Sequence, residues 1–187
     1  ALMELAGERQ WEDISMTDIA GRAGVSLADF RDAFPSKGAV LAGLSRRIDR
    51  IVLDATTDDL AGEPARDRLF DVLMRRLDAM APYKAGLEAV AGWARRDPVA
   101  ALALNQMAVN SMRFMLEAAR IETEGALGLA KTQGLVLVWL RVLDVWFTDD
   151  ADLSRTMAAL DRELARGGEW ARRAEKLHEL SRPLRNL

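Results

Sequence analysis

The feature of this sequence that most constrains its fold is the spacing of the apolar residues. Along the whole sequence, apolar residues recur three and four positions apart, and the alternating β-branched and aromatic runs that are typical of strands do not occur. Half of the 187 residues are apolar and 29% are charged, which is typical of a chain that folds around its own core. The sequence therefore predicts an all-α fold.

Capping and turn residues divide this pattern into helices. A first helix at about 1–9 precedes two short helices, which Ser15 and Ser26 cap. The glycine pair Gly167 and Gly168 is expected to end a helix, because glycine is a common helix terminator. The remaining helices are predicted at 37–53, 65–80, 82–95, 98–119, 122–147, 152–166 and 169–180.

One stretch has the composition of a linker. Residues 54–64 are polar and acidic and contain both glycine and proline. They predict a boundary between a small head, residues 1–50, and a larger helical domain, residues 51–187.

Enzymatic chemistry lacks its usual residues. The chain has no cysteine, so it offers no thiol nucleophile, disulfide or thiolate metal site. Its single histidine, His178, follows Glu175 by three positions, which is only half of a helical metal motif. No glycine loop of the kind that holds phosphate is present. We therefore expect no enzyme, no metal and no cofactor.

The chain shows neither an export signal nor a predicted membrane span. Its first residues lack the basic start of a signal peptide. The most apolar stretch, 134–147, contains Arg141 and Asp144 and is shorter than the roughly 20 residues that cross a bilayer. The expected location is the cytoplasm.

The two short helices form the most informative motif. Gly24 lies between them, at a turn where a positive φ is needed, and Ser26 begins the second helix. Two short helices joined by a tight glycine turn are typical of the helix-turn-helix that docks on DNA. An ordinary helical hairpin has the same pattern, so both interpretations stay open on the residues alone.

The sequence resembles the TetR family of bacterial transcriptional regulators. The resemblance rests on residues 15–20, 23–26 and 34–37, which read Ser-Met-Thr-Asp-Ile-Ala, Ala-Gly-Val-Ser and Phe-Pro-Ser-Lys. It implies a three-helix helix-turn-helix head that binds palindromic DNA, and a larger helical domain that binds a small apolar or amphipathic ligand. It also implies a homodimer in which the last two long helices pair with those of a second copy.

The resemblance also assigns roles to residues of the head. Ser15 matches a hydroxyl that contacts phosphate, Ser26 the cap of the recognition helix, and Lys37 a lysine that contacts the DNA backbone. The full set of residues expected at DNA is Ser15, Thr17, Ser26, Leu27, Ala28, Asp29, Arg31, Asp32 and Lys37.

The recognition helix departs from the family in its charge. Leu27 stands where the family has a lysine, and Asp29 and Asp32 stand where side chains would meet phosphates and bases. Residues 1–47 contain seven acidic and six basic side chains, so the head has a net charge of −1. Because a carboxylate near phosphate adds repulsion, we expect weak DNA binding.

A second resemblance supports an alternative function. Residues 68–83, especially 75–83, together with 149–152 and 160–162, are similar to the coenzyme-Q biosynthesis accessory proteins, which share the TetR fold. That resemblance implies a protein that binds lipids or isoprenoids and does not bind DNA.

Flexible apolar side chains are concentrated in the middle of the chain. Such residues can line an adaptable ligand cavity, although at helical spacing they also fill ordinary cores. The predicted ligand contacts are Met74, Trp93, Met107, Met112, Phe114 and Met115.

The helix at 122–147 is apolar around most of its circumference, so we expect one side of it to face a partner. Burial within a single chain is the alternative. The residues predicted at a twofold interface are Val138, Trp139, Val142, Trp146, Met157 and Leu160.

Overall fold

The computed structural model describes the backbone of residues 1–181 and the side chains of residues 1–173. The expectations about Glu175 and His178 concern side chains that lie outside the described residues. Within the described backbone the fold is all-α, as predicted, with short 3-10 turns at Trp11–Asp13 and Ala81–Tyr83. The helices are α1 Leu2–Glu8, α2 Met16–Ala23, α3 Leu27–Ala33, α4 Lys37–Asp54, α5 Ala65–Met80, α6 Lys84–Ala94, α7 Pro98–Ala118, α8 Gly125–Phe147 and α9 Ser154–Ser181.

The prediction that Gly167 and Gly168 end a helix is wrong. Helix α9 continues through both residues, and neither takes a positive φ. A glycine inside a helix costs up to about 1 kcal/mol relative to alanine, which packing can outweigh. A Cβ at Gly167 would lie 3.6 Å from a methyl group of Val138, so α9 lies close to α8 at this position.

The chain divides into two compact units. The first consists of Ala1–Asp54 and Arg76–Ser111, and the second of Ala55–Arg75 and the chain from Met112 onward. The functional division predicted near residue 50, into a DNA-binding head and a ligand-binding domain, stays a prediction.

The first unit has a core built on α1. Helix α1 packs against α6, and it also contacts α2. Gly86 of α6 allows this close approach, because a Cβ there would lie only 2.2 Å from the carbonyl oxygen of Met3. The buried members of this core are Leu2, Met3, Leu5, Ala6, Trp11, Ile14, Ile19, Ala20, Phe30, Leu41 and Val90.

The second unit is built on the pair α8 and α9. Asp149, in the turn between them, accepts hydrogen bonds from the backbone N–H and the hydroxyl of Thr156 at 2.7 and 2.6 Å. The Nε of Arg155 donates to the same carboxylate at 3.1 Å. The bond from the Thr156 N–H caps the first turn of α9, because this N–H has no partner within the helix.

Helix α8 is longer than the apolar stretch identified in the sequence. With 23 residues it is long and apolar enough to cross a membrane by length and composition alone, and the core helix of a soluble protein meets the same test. One side of α8 is buried in the second unit, where Val136, Val142 and Trp146 have almost no exposed surface.

Candidate nucleic-acid interface

Helices α2 and α3 form a helix-turn-helix within the first unit. Gly24 ends α2 in the left-handed conformation, with φ of 68°, and its N–H donates to the carbonyls of Ala20 and Gly21. The next N–H, of Val25, donates to the carbonyl of Ala20 at 3.1 Å. This arrangement closes α2 and lets α3 begin at Leu27, three residues after Gly24, which explains why glycine is needed at the turn.

Both helices begin with a serine cap. The N–H of Asp18 donates to Ser15 Oγ at 3.0 Å, and the N–H of Asp29 donates to Ser26 Oγ at 3.0 Å. Each hydroxyl in turn donates to the carboxylate of the same aspartate, at 2.6 Å from Ser15 and 2.7 Å from Ser26. The bond from the Ser15 hydroxyl, together with one from the Ser15 N–H at 2.8 Å, keeps the pKa of Asp18 below its usual value. Both serines are exposed, but their hydroxyl protons already have acceptors within the caps.

Helix α3 presents a continuous exposed face. Phe30 is buried in the core of the first unit, and Phe34 is half-buried beside it. The remaining positions expected at DNA are exposed, including Leu27, which keeps 51% of its surface accessible. They are Thr17 on α2, and Leu27, Ala28, Asp29, Arg31 and Asp32 on α3.

Lys37 makes structural contacts at the start of α4. Its ammonium donates to the carbonyls of Trp11 and Ile14 at 2.7 and 2.8 Å and lies 4.8 Å from the centre of the Trp11 ring. Partial burial lowers the pKa of Lys37. An ammonium has three N–H donors, so one is left for a further acceptor.

Ion pairs reduce the positive charge that α2 offers. The guanidinium of Arg22 forms a bidentate pair with Glu8, at 2.9 and 2.7 Å, and this pairing raises the pKa of Arg22. Arg9 lies 3.7 Å from Asp18. On α3 itself, the exposed face carries one cation, Arg31.

Comparison with known proteins supports this description of the fold. No protein-family model matches the chain, and no curated protein matches it either. Among solved structures it is similar to the crystal structure of a TetR transcriptional regulator from Rhodococcus sp. RHA1. The two chains are 22% identical and superpose with a TM-score of 0.61, covering 89% of this chain and 91% of the other. The chain has the TetR fold.

The predicted ligand contacts are distributed over both units of this TetR fold. Trp93 and Met107 belong to the first unit and line the same cavity. Met112 and Met115 are fully buried in the second unit, whereas Phe114 keeps 53% of its surface exposed. Met74, also of the second unit, is half-buried.

The cavity at Trp93 has a volume of about 420 Å³, and we call it the tryptophan cavity. Trp11 and Trp93 stack there with ring centroids 4.8 Å apart. Its apolar walls are mainly Trp11, Met16, Leu41, Trp93, Leu104 and Met107, and Lys37 also lines it.

Five of the six residues predicted at a twofold interface are buried within the chain itself. Val138, Trp139, Val142 and Trp146 lie on the inner side of α8, and Leu160 lies on the inner side of α9. Only Met157, with 38% of its surface exposed, has area left for a partner. The outward side of α8 carries Leu129, Leu137 and Leu140 instead.

A buried polar cluster was missed by sequence reasoning. Asp49 of α4 accepts a hydrogen bond from the guanidinium of Arg76, on α5, and another from Ser111 Oγ, on α7, at 2.5 Å. Arg76 is only 5% exposed, and this burial lowers its pKa. The signal was present in the sequence, because Arg76 falls on the apolar side of α5 beside Leu73 and Leu77.

Proposed function

We propose that this chain is a cytoplasmic transcriptional regulator that binds palindromic DNA as a homodimer and is released by a small apolar or amphipathic ligand. The observation that carries the proposal is an exposed α3 face on a helix-turn-helix with both caps intact, within a TetR fold. A short capped helix that exposes one side has the dimensions to enter a major groove.

The polar exposed residues have proposed roles. Arg31 supplies the cation that contacts phosphate or a guanine edge, since arginine is the most common donor to guanine. Asp29 and Asp32 favour a cytosine edge, because a carboxylate can accept from its amino group. We expect Ser15, Thr17 and Ser26 to face phosphates, and Lys37 to give its third N–H donor to the DNA backbone when no ligand accepts from it.

The DNA test uses genomic fragments of the source organism at low salt. We expect the protein to retrieve a discrete set of fragments, and Arg31→Ala to weaken their binding about tenfold, because one good base contact contributes about 1–3 kcal/mol. Asp32→Asn is expected to weaken the preference for the discrete fragments, because it removes the carboxylate proposed to accept from a cytosine amino group, while the lost negative charge strengthens binding to DNA in general. Arg96→Ala, at an exposed position after α6, is the matched control. Retrieval of no discrete fragment by the wild type would show that the proposal is wrong.

The proposed dimer uses the outward side of α8. Leu129, Leu137 and Leu140 are spaced eight and three residues apart and so lie along one stripe of the helix, and each keeps about half of its surface exposed. These leucines, and the exposed Met157 of α9, are the apolar side chains that a second copy would cover. Light scattering after size exclusion is expected to give a dimer for the wild type and a monomer for Leu137→Glu, while Ala101→Glu on α7 stays dimeric.

One observation favours the second candidate, a lipid-binding or isoprenoid-binding protein that does not bind DNA. The α3 face carries Asp29, Asp32 and the exposed Leu27, a combination that opposes phosphate binding. Under this alternative, wild-type protein retrieves no discrete DNA fragment, and Asp32→Asn still does not.

A further inference from the structure

The tryptophan cavity has the size and the walls of a small-molecule site. Its volume of about 420 Å³ falls in the range of ligand pockets, roughly 300–1,000 Å³. The stacked pair Trp11 and Trp93 forms one wall, and Leu104 and Met107 of α7 contribute aliphatic surface. Flat aromatic walls next to flexible aliphatic groups suit a planar apolar ligand.

One charged group lines this apolar cavity. Two of the three Lys37 N–H donors are used by the carbonyls of Trp11 and Ile14. Among the residues that the structure describes, no acceptor takes the third donor, and Glu12, the acid whose charge acts on Lys37, does not line the cavity. A partly buried ammonium with an unused donor is complementary to an anion, since a hydrogen bond to a charged acceptor is stronger than one to a neutral acceptor.

We propose that the tryptophan cavity binds a small aromatic carboxylate, with its ring against the tryptophan pair and its carboxylate accepting a hydrogen bond from Lys37. This inference deepens the proposed function and rests on it for the effect on DNA. Met16 is the first residue of α2 and Lys37 the first of α4, and both line the cavity. A ligand there contacts both ends of the segment that carries the helix-turn-helix.

The binding experiment uses a matched pair of probes. Isothermal titration calorimetry of the full chain compares 2-naphthoate with the neutral amide of the same shape, 2-naphthamide. We expect the carboxylate to bind at least about tenfold more tightly, as a charge-assisted hydrogen bond implies. Equal affinity for the two probes, or no binding of the carboxylate, overturns the inference.

Variants locate the site. Lys37→Met is expected to remove the preference for the carboxylate, and Lys37→Arg to keep it. Lys37 also donates to two backbone carbonyls, so its replacement can destabilise the fold. A second variant leaves these bonds intact: Ala103→Trp fills the cavity from an exposed position of α7. Ala101→Trp, on the same helix outside the lining residues, is the control. Naphthoate binding that survives Ala103→Trp, or that is lost equally in Ala101→Trp, places the ligand elsewhere and refutes the site.

A DNA arm separates this inference from the proposed function. If the chain binds 2-naphthoate in the cavity but never retrieves DNA, the regulator proposal fails and the ligand site stands. If it retrieves DNA but shows no preference for 2-naphthoate, the regulator proposal stands and the ligand site is refuted. If both hold, 2-naphthoate is expected to release the DNA from the wild type and not from Ala103→Trp.

Discussion

Replacing Gly86 with alanine tests how α1 is held against α6. An added Cβ would lie 2.2 Å from the carbonyl oxygen of Met3 and 2.8 Å from its carbonyl carbon. Real Cβ atoms essentially never approach other atoms closer than 3.0 Å, so the two helices must separate by about 1 Å. The atoms in the way belong to the backbone, which cannot rotate aside as a side chain can.

The expected cost follows from two opposing effects. Forcing an extra methyl group into a packed interface costs about 1–3 kcal/mol, and a clash with backbone belongs at the upper end. Alanine is also the better helix former, by about 1 kcal/mol. We therefore expect Gly86→Ala to lower the free energy of unfolding by about 2 kcal/mol.

Gly92 provides the control within the same helix. A Cβ there meets nothing within 4 Å, so Gly92→Ala should gain about 1 kcal/mol from helix propensity alone. For a chain of this length, 1 kcal/mol shifts Tm by about 2–4 °C. Thermal unfolding followed by far-UV circular dichroism should separate the two variants by about 6–12 °C. If Gly86→Ala proves as stable as Gly92→Ala, the close approach of α1 to α6 does not exist in solution.

Three further substitutions test polar contacts. Asp49→Ala removes the counter-charge of the buried Arg76 and should cost about 3–5 kcal/mol in urea unfolding, part of which Arg76→Met in the same chain should restore. Hydrogen bonds from Thr156 lower the pKa of Asp149, so this carboxylate stabilises the fold above its usual pKa, and the contribution is lost as pH falls through the lowered value. Asp149→Asn should therefore make the urea midpoint lower at neutral pH and less sensitive to acid. Ser26→Ala removes the cap of α3 and should cost about 1 kcal/mol, measured by the same unfolding experiment.

Local signals account for the parts of the fold that the sequence predicted well. Helix α5 begins after Pro64 and ends at Met80, as predicted, because a proline start and an amphipathic run act within one helix. The serine caps and the turn at Gly24 are also local, and they are confirmed. The prediction at Gly167 was wrong because it used only the local tendency of glycine to end a helix. The packing of α9 on α8 involves residues that are distant in the sequence, and it outweighs that tendency.

Contacts between distant residues could not be read from the sequence. Asp49 and Ser111 are 62 positions apart, and no pattern in either helix indicates the other. Helix α8 is apolar on most sides, so its sequence could not indicate which side faces α9 and which faces outward. The stacking of Trp11 on Trp93 likewise depends on how α6 packs in the first unit.

The acidity of the helix-turn-helix has two different origins. Asp18 and Asp29 each accept a hydrogen bond from a serine cap, so their charges stabilise the starts of α2 and α3, where the helix dipole favours an anion. Asp32 lies in the last turn of α3, where the dipole disfavours a negative charge, and no cap explains it. A residue that weakens its own helix and also repels phosphate needs a reason outside the fold. If α3 binds a cytosine edge, Asp32→Asn should weaken the preference for discrete DNA fragments. If the chain has lost DNA binding, the same substitution should leave retrieval unchanged. Asp32→Asn is therefore the most discriminating substitution on α3.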